Sequence, residues 1–456
     1  MATKLRSKSL HFRETKSGTN AYRVLAYIAL LLGAVWLLLQ LSRGQVSSPF
    51  LPTPTPTRSA GSYIQQAEAY FTAGKLDDPG SEADAIDTYK KALAVEPDNP
   101  LVLSQLARIQ TYSSRLLSTD QQRLAVLEQA RDNIRRAAEL APDDSQVLAI
   151  KAFVLDWNAS SNLISNSERE AYLAEAEAAA NRAYLLDPEN ALALAYYAEV
   201  LLDQQKWDQA LEYAAQAVER APDNLDTHRV YGTVLESVGL YGDAIREYKR
   251  ASELAPNLTF ILLQIGLGYR NLEDYDSALY YFDQAAEINK QLGIQDPLPY
   301  IAIAKTYTQQ GEFFIASRNA ETALRFSPQS ADTYGQLGSI YVQARNYESA
   351  LPALQCALEG CTAEENKIAQ DLVDQGLLEA SVPVEPLELT NLTVAYYYIR
   401  YGSVLAFLSD AENGYCAKVV TLMAMLRQNF SDDSLLLSNI EDNEATCSIL
   451  YSNPSP

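Results

Sequence analysis

The sequence predicts an all-α fold: a superhelical solenoid of antiparallel helix pairs, preceded by one N-terminal transmembrane helix. Three observations predict it. Residues 24–41 read VLAYIALLLGAVWLLLQL, 18 residues with no charge and a single Gln. Prolines at 188, 222 and 256 recur at a spacing of 34, the period of a stack of two-helix units. Just past those prolines stand Asn190, Asp223 and Asn224, residue types that cap the helix to follow.

The N-terminal elements follow from charge and composition. Residues 1–60 carry eight Lys/Arg against Glu14, a net of +7, whereas the rest of the chain carries −29, for −22 in all. Residues 1–23 form a basic tail. At 1.5 Å per residue the 24–41 run just spans a hydrocarbon core. A buried core helix would need an apolar cavity all round, and a cleaved signal peptide would need a small-residue cleavage site where LSRGQVSS stands. Six Lys/Arg precede the run, and only Arg43 and Arg58 follow within twenty residues. The positive-inside rule therefore puts the N-terminus in the cytoplasm and the body across the membrane. Residues 42–60 contain PTPTPT, which favours an extended, semi-rigid polyproline spacer.

The body repeats in detail. In the unit 225–258 the marks are Tyr231, Gly232, Leu235, Gly239, Tyr241, Ala244, Tyr248, Ala251 and Pro256. The same register returns at Gly266, Ala278, Phe282 and Ala285, and again at Gly338, Ala350, Leu354 and Ala357. Small residues at the eighth, twentieth and twenty-seventh positions let helices cross closely. Aromatics fill the gaps, and proline follows the second helix because it cannot continue it. This pattern resembles the tetratricopeptide-repeat (TPR) family, and with the anchor it is most similar to bacterial membrane-anchored TPR proteins that organise envelope assemblies. The match is regular over 189–362. Over 61–188 it is looser, with extended turns at KLDDPGSEAD and about 11 and 12 extra residues at SSRLLSTDQQR and SSNLISNSERE. Over 363–456 it is degenerate: a helix at EENKIAQDLVDQGLLEA, a loop, one more pair, and a capping helix over SLLLSNIEDNEATCSILY, about nine repeats in total.

Four cysteines, Cys356, Cys361, Cys416 and Cys447, suggest two disulfides. If Gly360 is the left-handed residue of a Schellman helix end, Cys361 folds back onto Cys356 despite the short spacing. Linking Cys416 to Cys447 would staple the end of the stack, worth about 3 kcal/mol or somewhat more for a loop of that length. The alternative is four buried thiols.

Little chemistry is legible. No phosphate-loop, nucleophile-elbow or zinc-helix motif occurs, and Gly266 and Gly268 lack the third glycine and preceding strand of a dinucleotide fingerprint. His228 stands where a packing residue belongs, and Cys356/Cys361 lack a second chelating pair. The reading is therefore not an enzyme, with no cofactor, metal or small-molecule ligand. The acidic body argues against nucleic acid.

The TPR resemblance implies function through an inner groove lined by positions 2, 5, 9, 12 and 13 of each repeat. At its centre these are Phe260, Leu263, Leu267 and Ile301, flanked by Arg229, Arg270, Asn271 and Lys305. Such a lining suits a protein or peptide segment with apolar anchors and an acidic group. The lining does not match the Lys–Asn–Asn–Lys–Arg set with which TPR cochaperones grip a terminal carboxylate. The expected function is a membrane-tethered interaction scaffold with an extracytoplasmic body. A cytosol-facing TPR receptor of the import type is the alternative, and a TPR-containing enzyme such as a glycosyltransferase is disfavoured because no second domain remains.

Overall fold

The computed structural model describes residues 20–42, 58–77, 83–117, 120–160, 164–410 and 413–452. Most of the expected basic tail and the Pro/Thr spacer lie outside them. The chain divides into two units, Met1–Arg58 and Ser59–Pro456. In the first, α1 (Ala21–Ser42) is one helix over the apolar run. Among the described residues no helix is long and apolar enough to cross a membrane. The expected span thus gains no support from the structure. The side chains of Leu37, Leu38 and Leu41, which belong to that run, are not among those described.

Among the described residues of the second unit every regular element is a helix, apart from a single bridge between Cys361 and Val384. Its helices form nine consecutive pairs: α2 (Ala60–Thr72) with α3 (Ala85–Val95), α4 (Pro100–Ser113) with α5 (Asp120–Leu140), α6 (Ser145–Ala159) with α7 (Asn166–Leu186), α8 (Ala191–Asp203) with α9 (Trp207–Arg220), α10 (Leu225–Ser237) with α11 (Tyr241–Leu254), α12 (Thr259–Asn271) with α13 (Tyr275–Leu292), α14 (Leu298–Gln310) with α15 (Phe313–Phe326), α16 (Ala331–Gln343) with α17 (Tyr347–Glu359), and, after the short α18 (Lys367–Asp374), α19 (Leu392–Phe407) with α20 (Tyr415–Asn429). A last helix, α21 (Ser434–Ser452), packs on α19 and α20. The extra residues of the early repeats go chiefly into α5 and α7, each 21 residues long.

The small residues do what their positions imply. A Cβ on Gly232 would lie 2.7 Å from the Tyr248 ring, and one on Gly266 would strike Phe282, so neither pair could close around a larger residue. The Asn190 and Asn224 side chains accept the first backbone N–H groups of α8 and α10. Asp223 does not cap; it pairs with Arg250 at 2.7 Å.

The apolar core falls into two main clusters that change over within α14. Ile303 belongs to the first, Ala304 to the second, and Tyr307 touches both.

Both cysteine pairs lie at disulfide-bonding distance, with Cα–Cα separations of 4.9 Å for Cys356–Cys361 and 5.5 Å for Cys416–Cys447. The expected Schellman end does not form. Gly360 has φ 75° but ψ 168°, so the chain leaves the helix extended rather than curling back. Cys361 then exchanges two backbone hydrogen bonds with Val384, at 3.0 and 2.9 Å. The helix expected over 364–380 shortens to α18, because the Asn366 side chain caps it late and Gly376, at φ 70°, ends it early.

Candidate functional site

The first helix of each pair supplies the inner face, and two stretches of that face differ sharply. Counting Pro100 as position 1, α4 places Arg108 and Tyr112 at positions 9 and 13. Four residues apart, they share one face of the helix. They reach the inner face of α10 and α12, more than a hundred residues away. Arg108 donates from Nε to Asp226 at 3.0 Å, and its Nη2 lies 2.9 Å from the same oxygen. The Tyr112 hydroxyl donates to the other Asp226 oxygen. The Tyr112 ring stacks on Phe260 at 5.2 Å and on Phe71 at 5.8 Å, and meets Phe153 and Trp157 of α6 at 5.1 and 5.6 Å.

Arg229 completes this knot. Its guanidinium donates to both oxygens of Glu199, at 2.7 and 2.9 Å, and lies 5.7 Å from the Tyr112 ring centre and 5.4 Å from that of Phe153. Asp226 is buried, which alone would raise its pKa; Arg108 and Arg229 outweigh that and hold it below the usual carboxylate range. Burial likewise opposes the Arg229 charge, yet Glu199 foremost keeps its pKa raised. At the edge of the knot the Asn257 side chain donates to the Ala73 carbonyl at 3.2 Å. Here the turn before α12 meets the end of α2.

Three residues expected to line an open groove are therefore covered. Phe260 and Leu263 are 7% and 8% exposed, and Arg229 is buried in its ion pair. The remaining five lie further along. Leu267, Arg270 and Ile301 are half-buried, and Asn271 and Lys305 are exposed. The Nη1 of Arg270 is buried without a hydrogen-bond partner, and burial lowers the pKa of the group. Lys305, though solvent-accessible, sits in the concavity. Desolvation lowers its pKa, Asp332 opposes this, and nearby Arg270 adds to it. Neither cation makes an ion pair with a described residue. Two neighbouring, partly desolvated cations that make no salt bridge can accept an anionic group.

His228 is buried, as its packing position suggests. Its Nδ1 lies 2.7 Å from Glu247 and its Nε2 2.8 Å from the Pro222 carbonyl. Burial disfavours the cation, but the Glu247 carboxylate and the Pro222 carbonyl outweigh it and raise the pKa. The expected groove residues missed Arg108 and Tyr112 because they lie in the irregular stretch. The same register rule, applied with Ala107 as the small eighth residue, would have found them.

No protein-family model matches the chain, and no curated protein matches it. Among solved structures it is similar to the APC/C hetero-tetramer Cut9-Hcn1, at 14% identity and a TM-score of 0.49, over 70% of this chain and 55% of that one. The chain thus spans little more than half that neighbour's length. It is also similar to YrrB, described as a TPR protein with an unusual peptide-binding site (20% identity, 42% of this chain and 94% of that one, TM-score 0.31). Yeast Tom70 is a third neighbour (16% identity, 87% and 70% covered, TM-score 0.40). Of these, YrrB carries the TPR description, and at such identities and TM-scores none of the likenesses bears on this chain's role.

Proposed function

We propose that the chain is a membrane-tethered interaction scaffold whose inner face, between α12 and α14, holds a segment of another protein in an extracytoplasmic assembly. The observation that carries this reading is the pair of cations without a salt bridge among the described residues, Arg270 and Lys305, beside Leu267, Asn271 and Ile301 in a chain of net charge −22. A carboxylate entering there would gain charge-assisted hydrogen bonds. It would also neutralise Arg270, and Lys305 more closely than Asp332 does. An apolar anchor against Leu267 and Ile301 would add about 1.5–3 kcal/mol if fully buried. The tether rests on the uncharged run at 24–41 and on the excess of Lys/Arg before it.

The test uses the full chain in intact cells. Cross-linked pull-down of the wild type is compared with the Arg270→Glu, Lys305→Glu double variant, and the variant should lose partners that the wild type captures. Identical partner lists would remove the groove reading. Protease added to sealed cells from outside should digest the body once the outer barrier is permeabilised. A body protected there but cut from the cytosolic side would instead favour the import-receptor topology.

A further inference from the structure

The knot on α4 has the form of a ligand bound in a groove. One helix offers two anchors, Arg108 and Tyr112, and one carboxylate, Asp226, receives both. The anchor ring lies flat on Phe260. Apart from the edge at Ala73, Gly74 and Asn257, the two sides meet through side-chain tips. Neither α2 nor α4 packs helix-on-helix against α10 or α12, in contrast to every neighbouring pair in the stack. If the two sides part, Arg229 keeps Glu199, but Asp226 loses its closest cation and keeps only a 3.7 Å approach from Arg229. Phe260 and Leu263 would be uncovered beside it. The exposed surface would then be apolar with one under-compensated acid, the complement of a helix carrying an arginine and an aromatic one turn apart.

We propose that the α2–α5 segment is a clasp, and that it fills in cis a second partner-binding surface on α10 and α12 that accepts a helix bearing an arginine and a tyrosine at i, i+4. This rests on the reading of the inner face as an interaction surface. It adds a distinct site, with an acidic receptor, to the cationic one at Arg270 and Lys305. The latch is at the edge, where Asn257 holds the Ala73 carbonyl. Gly74 there has φ 76°, and a Cβ on it would lie 2.5 Å from the Asn257 carbonyl oxygen. Gly74→Val thus blocks docking without altering Asp226, Phe260 or α4.

The probe is a labelled peptide of residues 100–116 of this chain, with an Arg108→Ala, Tyr112→Ala peptide as control. It is titrated against the full-length protein in detergent. Gly74→Val should bind the peptide at least tenfold more tightly than the wild type and ignore the control. Hydrogen exchange in α2–α4 should rise while α14–α17 stay unchanged. Raised exchange without a gain in peptide binding would overturn the receptor. Unchanged exchange would overturn the latch. If Gly74→Val fails to fold, the Arg108→Ala, Tyr112→Ala chain serves instead: the wild-type peptide should raise its melting temperature and the control should not, and equal effects would sink the proposal. Partner capture by the Arg270/Lys305 variant reports on the cationic site alone, so the two readings fail separately.

Discussion

The inner face between α2 and α12 and the inner face between α12 and α14 are built on the same register, yet one is filled and the other is not. In the first, both buried arginines have an opposite partner: Arg108 has Asp226, and Arg229 has Glu199. In the second, Arg270 and Lys305 face the concavity without a salt bridge to any described residue. The carboxylates differ likewise. Asp226 is held ionised by two arginines, whereas Asp296, just before α14, is buried with Asn289 and the Leu298 N–H as hydrogen-bond partners at 3.0 and 2.9 Å and Arg115 acting on it without a salt bridge. Burial pushes Asp296 up to about 6. A repeat register therefore decides which side chains point inward. Whether they make a groove or a core depends on whether those side chains find complements across the turn.

The largest break in this contrast should come from Asp226→Ala. It strands the buried guanidinium of Arg108 and takes a second carboxylate from Arg229, and removing one partner of such a network costs about 3–5 kcal/mol. Urea denaturation of the full chain would measure it, and a loss under about 1 kcal/mol would show that the filled stretch does not depend on its charges. Tyr112→Ala comes next, at about 3 kcal/mol or more, because it deletes a ring that four others contact.

Asp296→Asn sharpens the contrast through pH. The folded carboxyl titrates near 6 and the unfolded one near its ordinary value of 3.8. Between those values the folded state holds more protons, so the wild type loses stability as pH rises from about 4 to about 6, by about 1–3 kcal/mol. The Asn variant should lack that component, seen as a smaller drop in melting temperature between pH 4 and pH 7. Asp226, with its lowered pKa, contributes with the opposite sign: its stabilisation is lost as pH falls below the ordinary carboxylate range. The smallest effect belongs to Arg270→Glu with Lys305→Glu. Stability should stay within about 0.5 kcal/mol, since no partner is lost, while protein capture falls. A large destabilisation would mean that these cations serve the fold.

The helix pairs were legible because their determinants are local and periodic. Gly232 and Gly266 sit eight residues into their units and meet the aromatic sixteen residues later, so a period of 34 carries the whole arrangement. The cysteine pairs were legible for a related reason, although Gly360 brings Cys361 back by an extended exit rather than a tight turn. The knot was not legible. Asp226 is 118 residues from Arg108, and a contact across a whole superhelical turn leaves no periodic trace in either segment. Phe260 and Leu263 read as groove-lining for the same reason: register gives direction, not what stands opposite.

A stack in which each unit touches only its neighbours ordinarily frays from its ends. Here both ends of the solenoid are fastened, by different means. At one end Asn257 and Asp226 hold α2 and α4 to the middle of the chain; at the other Cys416–Cys447 ties α20 to α21. The plane most easily parted then lies inside, at α14, where the core changes over between Ile303 and Ala304 and Tyr307 bridges the seam. Heated or pulled, the molecule should crack in the middle, like a rope whose two ends have been whipped, and a protease should make its first cut near Gly311 and leave two folded pieces.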